Sequence, residues 1–361
     1  MTADRIDRVR ARIDELGLDA LLVTAASNRR WVSGFTGSNG VLLIDRDVAL
    51  FATDSRYWEQ VAEQAPEFTL IRVEGATTTS APQLLEGRAG QRIGFEPDDL
   101  TVELFEQWKQ AAADTASDGK QPALVPAPGA IEELRMVKEA DELDALTRAV
   151  LLGDAAFVHA SSLAEPGMTE KELAWEVQRY AMEHGADDLS FSTIIAGGDW
   201  GALPHAYPRD VPLEANRGVV MDLGVIVDGY CSDLTRTIFL GEPDDEFKRI
   251  YDIVLTAQTM AAERIEAGMS GVEGHQIAAT VIAEAGHAEH FGHGLGHGVG
   301  LDIHEAPRLS PTGEQTLADG HVVTVEPGIY IPGWGGVRIE DQCVMENGRL
   351  RSISTAPKLD L

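Results

Sequence analysis

Residues 219–237, VVMDLGVIVDGYCSDLTRT, constrain this chain more than any other stretch. An apolar run enters Asp228-Gly229 and an alternating run leaves it. That dipeptide suits a two-residue type I′ turn, because both central residues need positive φ. With those two residues as the loop, Val227 faces Tyr230 and Asp222 faces Thr235, and Asp233 lies one diagonal step away on the same face. Side chains alternate with period two, so a slip of one residue would put the two carboxylates on opposite faces. Diagonal neighbours sit roughly 7–8 Å apart, a span that lets two carboxylates hold metal ions about 3.5–4 Å from each other. A surface hairpin with solvated aspartates is the other reading of the same residues.

Four more segments bear on the choice. Residues 291–307, FGHGLGHGVGLDIHEAP, carry His293, His297 and His304, and five of the ten histidines lie between 287 and 304. Glycines at 292, 294, 296 and 298 argue against a helix, each costing roughly 1 kcal/mol in a helix interior. They fit either close backbone approach to something bound or a Gly-rich surface loop. In TVEPGIY (324–330), Glu326 ends an apolar strand, as a ligand or as an exposed terminus. In GVRIED (336–341), Arg338 and Glu340 alternate with Val337 and Ile339 and share a face, in a site or in a surface ladder of charges. Pairing Ile331 with Val337 across the intervening turn would put Glu326 on the face of Glu340. A single His205 sits in ALPHAYP (202–208), a loop setting in which histidine is more often structural or exposed than catalytic.

In chain order the set is Asp222, Asp233, His297, Glu326 and Glu340. Four carboxylates balance two divalent cations, and without cations a buried cluster of this kind would take up protons. Oxygen-dominated ligation with one imidazole suits Mn²⁺ best, with Zn²⁺, Co²⁺ and Fe²⁺ as other occupants of such a donor set. A water bridging two such ions loses a proton near neutral pH and becomes a nucleophile. A faint internal echo accompanies the set: RGVVMDLG (217–224) resembles DGHVVTVEPG (319–328), each an apolar strand ending in a carboxylate followed closely by glycine.

Before these motifs, strand and helix patterns alternate: a helix over 3–17, strands at 20–24, 41–45, 48–53, 68–73 and 92–96, and helices at 55–64 and 101–113, with turns at 34–40. This is the pattern of an α/β layer domain. Residues 114–130 turn to small residues, Pro and Gly, with ALV (123–125) as an edge-strand candidate, so we place domains at 1–129 and 130–361. A long helical pattern then runs from Ile131 to about Leu163, and TEKE (169–172) reads as a capping box opening another helix. Helices at 244–267 and 271–286 precede strands at 321–326, 336–345 and 350–354, an α+β arrangement with functional residues on the sheet.

The net charge of −30 and pI near 4.6 exclude binding of nucleic acid or anionic membrane through a basic surface. Two cysteines in 361 residues point to a reduced cytoplasm rather than a disulfide framework. The charged N-terminus has no apolar signal region, and no window reads as a membrane span.

Taken together, LPHA, MDLG with SDLTRT, HGLGHGVGLDIHE, VEPGIY and VRIED resemble, in this order, the motifs of the pita-bread metallopeptidases, and within them the proline-specific branch of aminopeptidase P and prolidase. SNRRWVSGFTGSNG and TDSRY resemble the creatinase-type N-terminal domain, so the likeness covers nearly the whole chain. The resemblance implies an α/β creatinase-type domain followed by an α+β pita-bread catalytic domain. It implies metal ligation by Asp222, Asp233, His297, Glu326 and Glu340, a set that creatinase itself lacks. It also implies substrate contact and oxyanion stabilisation by His205 and His304, proton handling by Glu326, and a proline pocket lined by His293, Tyr330 and Arg338. Arg338 would either pin a dipeptide carboxylate or shape that pocket. The implied reaction is hydrolysis of the bond between an N-terminal residue and a following proline by a metal-bridging hydroxide. The leading expectation is an Xaa-Pro aminopeptidase, with an Xaa-Pro dipeptidase as the alternative and a catalytically silent binding protein as the remote one. A homodimer or higher homo-oligomer is implied as well.

Overall fold

The computed structural model describes residues 2–75 and 77–361. The chain divides into two compact units, Met1–Arg135 and Met136–Leu361.

In the first unit the apolar runs become one six-stranded sheet, in the order Thr69–Val73, Ala49–Asp54, Val41–Asp45, Ala20–Val23, Arg92–Phe95, Ala123–Pro126. Val41–Asp45 pairs antiparallel with both its neighbours, and the other three pairings are parallel. Leu22, Leu43, Ile93 and Phe95 pack with Trp108 of helix Val102–Asp114 in its core. The ALV segment is an edge strand, as its composition suggests. Helix Ala26–Ser33 was not expected. It has no side-chain cap of its own. The Glu96 carboxyl, some seventy residues away, instead accepts from the Thr24 and Ala25 backbone N–H groups, just ahead of the first turn, at 2.6 and 2.8 Å, and burial pushes its pKa up to about 7. A short helix, Ala81–Leu85, was also missed.

The pattern read as one helix from Ile131 is two, Glu132–Arg135 and Ala140–Leu163. The backbone between them is used elsewhere: Lys138 N–H donates to the Gly320 carbonyl at 2.9 Å. Glu139 then opens the long helix through a capping box with Glu142.

The second unit repeats one theme, a helix pair packed on a bent hairpin. Ala140–Leu163 and Glu170–Glu183, the latter opened by the Thr169–Glu172 capping box, bring Phe157, Leu173 and Val177 against Val219, Met221, Leu223 and Val225. Asp245–Arg264 and Gly271–Glu284 bring Ile250, Val254 and Ile282 against Val323, Val325, Ile329, Val337 and Ile339. In both hairpins the odd-numbered apolar residues of the leading strand face the helices, so the residues between them face the other way.

The aspartate hairpin has the register that its turn dictates: Val227 pairs with Tyr230 and Asp222 with Thr235. Asp228 and Gly229 both have positive φ, 50° and 78°. Between Leu223 and Val225 the hairpin bends from one sheet into another. A Cβ on Gly224 would lie 2.0 Å from the Ser232 carbonyl oxygen, so this bend needs glycine.

The glutamate hairpin differs from expectation in two ways. Ile331 pairs with Gly335 and Ile329 with Val337, so the turn is two residues tighter than a pairing of Ile331 with Val337 would make it. Gly333 and Gly335, at φ 77° and 144°, permit the tighter turn. A shift of two preserves the faces, so Glu326 and Glu340 still share one. Residues 336–345 also form two strands in different sheets, Gly335–Arg338 and Asp341–Glu346. They part where Glu340 N–H turns to the Thr235 carbonyl of the other hairpin, at 3.0 Å. Among the described residues no helix is long and apolar enough to cross a membrane.

Candidate metal centre

Asp233, His297 and Glu340 each place a ligand atom within 4.8 Å of the others. His297 comes from the short strand Gly296–Gly298, which pairs with Glu305–Leu309 on one side and with Val322–Val325 on the other. Its flanking glycines are required: a Cβ on Gly296 would lie 2.0 Å from the Thr324 carbonyl oxygen, and one on Gly298 2.2 Å from that of Ala306. His297 Nδ1 faces the Gly298 carbonyl at 3.1 Å and so carries the proton in the neutral ring. Nε2 is thereby presented to Glu326 Oε1 at 3.3 Å and Asp233 Oδ2 at 3.5 Å.

Two threonines hold the glutamates. Thr324 donates to Glu326 at 3.0 Å and Thr235 to Glu340 at 2.6 Å. Neither was singled out in the sequence, although Thr235 stands opposite Asp222 in the register that the Asp-Gly turn implies. Asp222 is brought to the site as the partner of the Arg338 guanidinium. Arg338 is buried, and it also donates to Thr235 at 3.0 Å, to the Tyr330 hydroxyl at 2.7 Å and to the Pro204 carbonyl at 3.4 Å. Those contacts engage its guanidinium internally. They suit an arginine that shapes the pocket, not one reaching out to a substrate carboxylate. Tyr330 in turn donates to His293 Nε2 at 2.9 Å, whose Nδ1 is taken by the Gly294 carbonyl.

His304 is exposed and sets its ring edge-to-face on His297, centroids 4.3 Å apart. His205 is exposed on the turn after the 3₁₀ helix Gly198–Ala202, within electrostatic reach of both His293 and His304. That turn is seated by backbone contact, since a Cβ on Gly336 would lie 2.0 Å from the Gly201 carbonyl oxygen. Arg308 was missed altogether. It stands directly across from His297 on the neighbouring strand and is exposed, so a cation shares the histidine's face.

The charges cannot all coexist. Burial, and then Glu340, Asp222 and Glu326, push the Asp233 carboxyl well up. Burial, and then Glu326 and Asp222, do the same to Glu340. Asp222 is raised by burial, with Arg338 opposing. Burial would also raise Glu326, but the hydrogen bond and charge of His297 outweigh it and hold Glu326 down to about 2. Burial lowers His304, and the His297 charge adds to this. Asp222 Oδ1 and Glu340 Oε1 are buried with no hydrogen-bond partner among the described residues. Buried carboxylates in excess of nearby cations, two unsatisfied oxygens and a presented imidazole nitrogen together make a donor set that fits divalent metal.

Comparison with known proteins agrees with this chemistry. Residues 144–347 match metallopeptidase family M24, and residues 5–137 match the creatinase/prolidase N-terminal domain. The chain is 34% identical to an Xaa-Pro dipeptidase of Pyrococcus furiosus over 99% of each chain. The structure of an Xaa-Pro dipeptidase from Bacillus anthracis superposes with a TM-score of 0.92 at 39% identity, over 99% of each chain. That of an X-Pro aminopeptidase from Thermotoga maritima superposes at 0.87 and 33% identity, over 96% of this chain and 99% of that one. With a creatinase-type domain ahead of a pita-bread catalytic domain, and a peptidase by descent, this chain belongs to metallopeptidase family M24.

Proposed function

We propose that this protein is an Xaa-Pro dipeptidase dependent on two divalent ions, best Mn²⁺, held by Asp222, Asp233, His297, Glu326 and Glu340. The observation that carries the reading is the buried carboxylate cluster around His297 Nε2, in a chain alike over its full length to two proteins named Xaa-Pro dipeptidases. The sequence motifs are common to both enzymes, with an aminopeptidase as the leading expectation. The relatives and Arg308 turn the preference: an exposed guanidinium facing the same side as His297 can receive the carboxylate that a dipeptide presents one residue past the scissile bond.

The bond to proline is a tertiary amide without N–H, so the site must grip its substrate by other groups. Metal bound here would supply a water acidic enough to react at neutral pH and a Lewis acid for the scissile carbonyl. Glu326, oriented by Thr324, takes the proton of the attacking water and passes it to the departing proline nitrogen. His304, kept neutral by its surroundings, and His205 on its turn donate hydrogen bonds where the carbonyl oxygen gathers charge. Arg338, Tyr330 and His293 form one hydrogen-bonded wall that fixes the pocket for the proline ring.

The test supplies Mn²⁺ and compares an Xaa-Pro dipeptide with an Xaa-Pro-Yaa tripeptide, with an EDTA control. Cleavage of the dipeptide alone is expected, and Arg308→Met should raise its KM. Preference for the tripeptide would favour the second reading, an Xaa-Pro aminopeptidase, for which the Thermotoga maritima likeness speaks. No EDTA-sensitive cleavage of either peptide would overturn both.

A further inference from the structure

Behind the carboxylates lies a charged network that the hydrolytic chemistry does not use. Arg236 is 2% exposed, an unusual place for a guanidinium unless it is fully paired. It donates to the carbonyls of Thr235, at 3.0 Å, and of Glu340, and to Asp341 Oδ1 at 2.8 Å. Its remaining partners come from residues 354–358, which have no regular secondary structure: the carbonyls of Ala356 at 2.8 Å and Pro357 at 3.2 Å. Lys358 Nζ closes the network on Asp341 Oδ2 at 2.7 Å and on Gln258 at 2.8 Å. The same segment reaches the other hairpin. Ser354 Oγ accepts from Gln342 N–H at 3.0 Å, and the Gln342 side-chain oxygen accepts from the Asp233 backbone N–H, also at 3.0 Å.

We propose that residues 354–358 are a positioning strap for the metal centre. Through Gln342 they hold the backbone of Asp233, and through Arg236 and Asp341 they hold the backbone of Glu340. The strap thereby sets the separation of two carboxylates that come from different hairpins. Groups behind metal ligands tune affinity in this way, and their loss typically costs 10–100-fold. The inference rests on the metal-centre reading above. Lys358 and Ser354 touch neither substrate nor ligand side chains, so both are positioning residues.

The experiment measures equilibrium Mn²⁺ binding to the full chain by calorimetry, with thermal melting in EDTA alongside. Lys358→Ala should bind Mn²⁺ about ten-fold more weakly while its EDTA melting midpoint stays within about 2 °C of wild type. Lys358→Arg should recover most of the affinity. Ser354→Ala, acting through Gln342, should weaken binding in the same direction. Wild-type affinity in both alanine variants overturns the strap, as does an affinity loss that only tracks a lowered melting midpoint. A wild-type chain that binds no Mn²⁺ overturns instead the metal-centre reading on which the strap depends.

Discussion

The hairpin that carries Asp222 and Asp233 turns through two residues and keeps the register that its turn dictates, whereas the hairpin that carries Glu326 and Glu340 turns through Pro332, Gly333 and Trp334. Both lay one face on a helix pair and offer the other to the metal centre. Their electrostatics differ more than their shapes. Burial and mutual repulsion raise both aspartates and Glu340, while Glu326, bonded to His297, alone is held down. The difference teaches that the neighbour across the cleft, not the type of carboxyl, decides which acid stays charged.

The harshest way to break the comparison is to remove one carboxylate from each hairpin. Asp233→Ala and Glu340→Gln should each cut peptidase activity by more than about 100-fold, beyond what loss of an outlying partner costs. Peptide assays with excess Mn²⁺ and metal titration would show it. If Asp233→Ala bound two metals with wild-type affinity, the ligand set would be refuted.

Next in size are two tightly packed glycines, one in each hairpin. Gly224→Ala forces a Cβ to within 2.0 Å of the Ser232 carbonyl and should cost about 3 kcal/mol of stability, measured by urea unfolding. Gly336→Ala meets the Gly201 carbonyl at the same distance, but that backbone leads to His205. It should therefore lower kcat/KM more, relative to stability, than Gly224→Ala does. Equal ratios would remove the distinction.

A pH series sharpens the electrostatic contrast. Asp222, Asp233 and Glu340 have folded pKa values above their unfolded ones, so the metal-free folded state binds more protons than the unfolded chain. That contribution is present at low pH and is lost as pH rises through the raised values. Glu326 works oppositely, contributing above its unfolded value and losing the contribution only as pH falls toward about 2. In EDTA that contribution should therefore be lost as pH rises above the ordinary carboxylate range, read as a melting midpoint that falls more with pH in wild type than in Glu340→Gln. With Mn²⁺ the trend should reverse, because metal replaces the protons. An equal pH slope in wild type and Glu340→Gln would mean the cluster is not buried as described.

The smallest effect belongs to the turn itself. Gly229→Ala places a side chain at φ 78° and should cost about 1 kcal/mol, with activity per folded molecule unchanged.

What could be read from the chain alone was whatever rests on neighbours in sequence. Asp228-Gly229 set the register that puts Asp222 opposite Thr235, Thr169 and Glu172 announced their capping box, and alternation put Arg338 and Glu340 on one face. Even the misjudged turn before Gly335 kept Glu326 and Glu340 on that face, because a slip of two residues does not change which way side chains point. Other features depend on atoms that sequence distance hides. Helix Ala26–Ser33 takes the hydrogen bonds at its N-terminus from Glu96, and residues 336–345 split because Glu340 bonds to Thr235. Arg338 spends its donors on Asp222, Thr235 and Tyr330, while Arg308 comes to face His297 only through strand pairing. Period and turn chemistry are local and survive in a one-dimensional reading. Hydrogen-bond partners across a hundred residues exist only once the chain has folded, and here they decide which charges are paired inside the protein and which are left open.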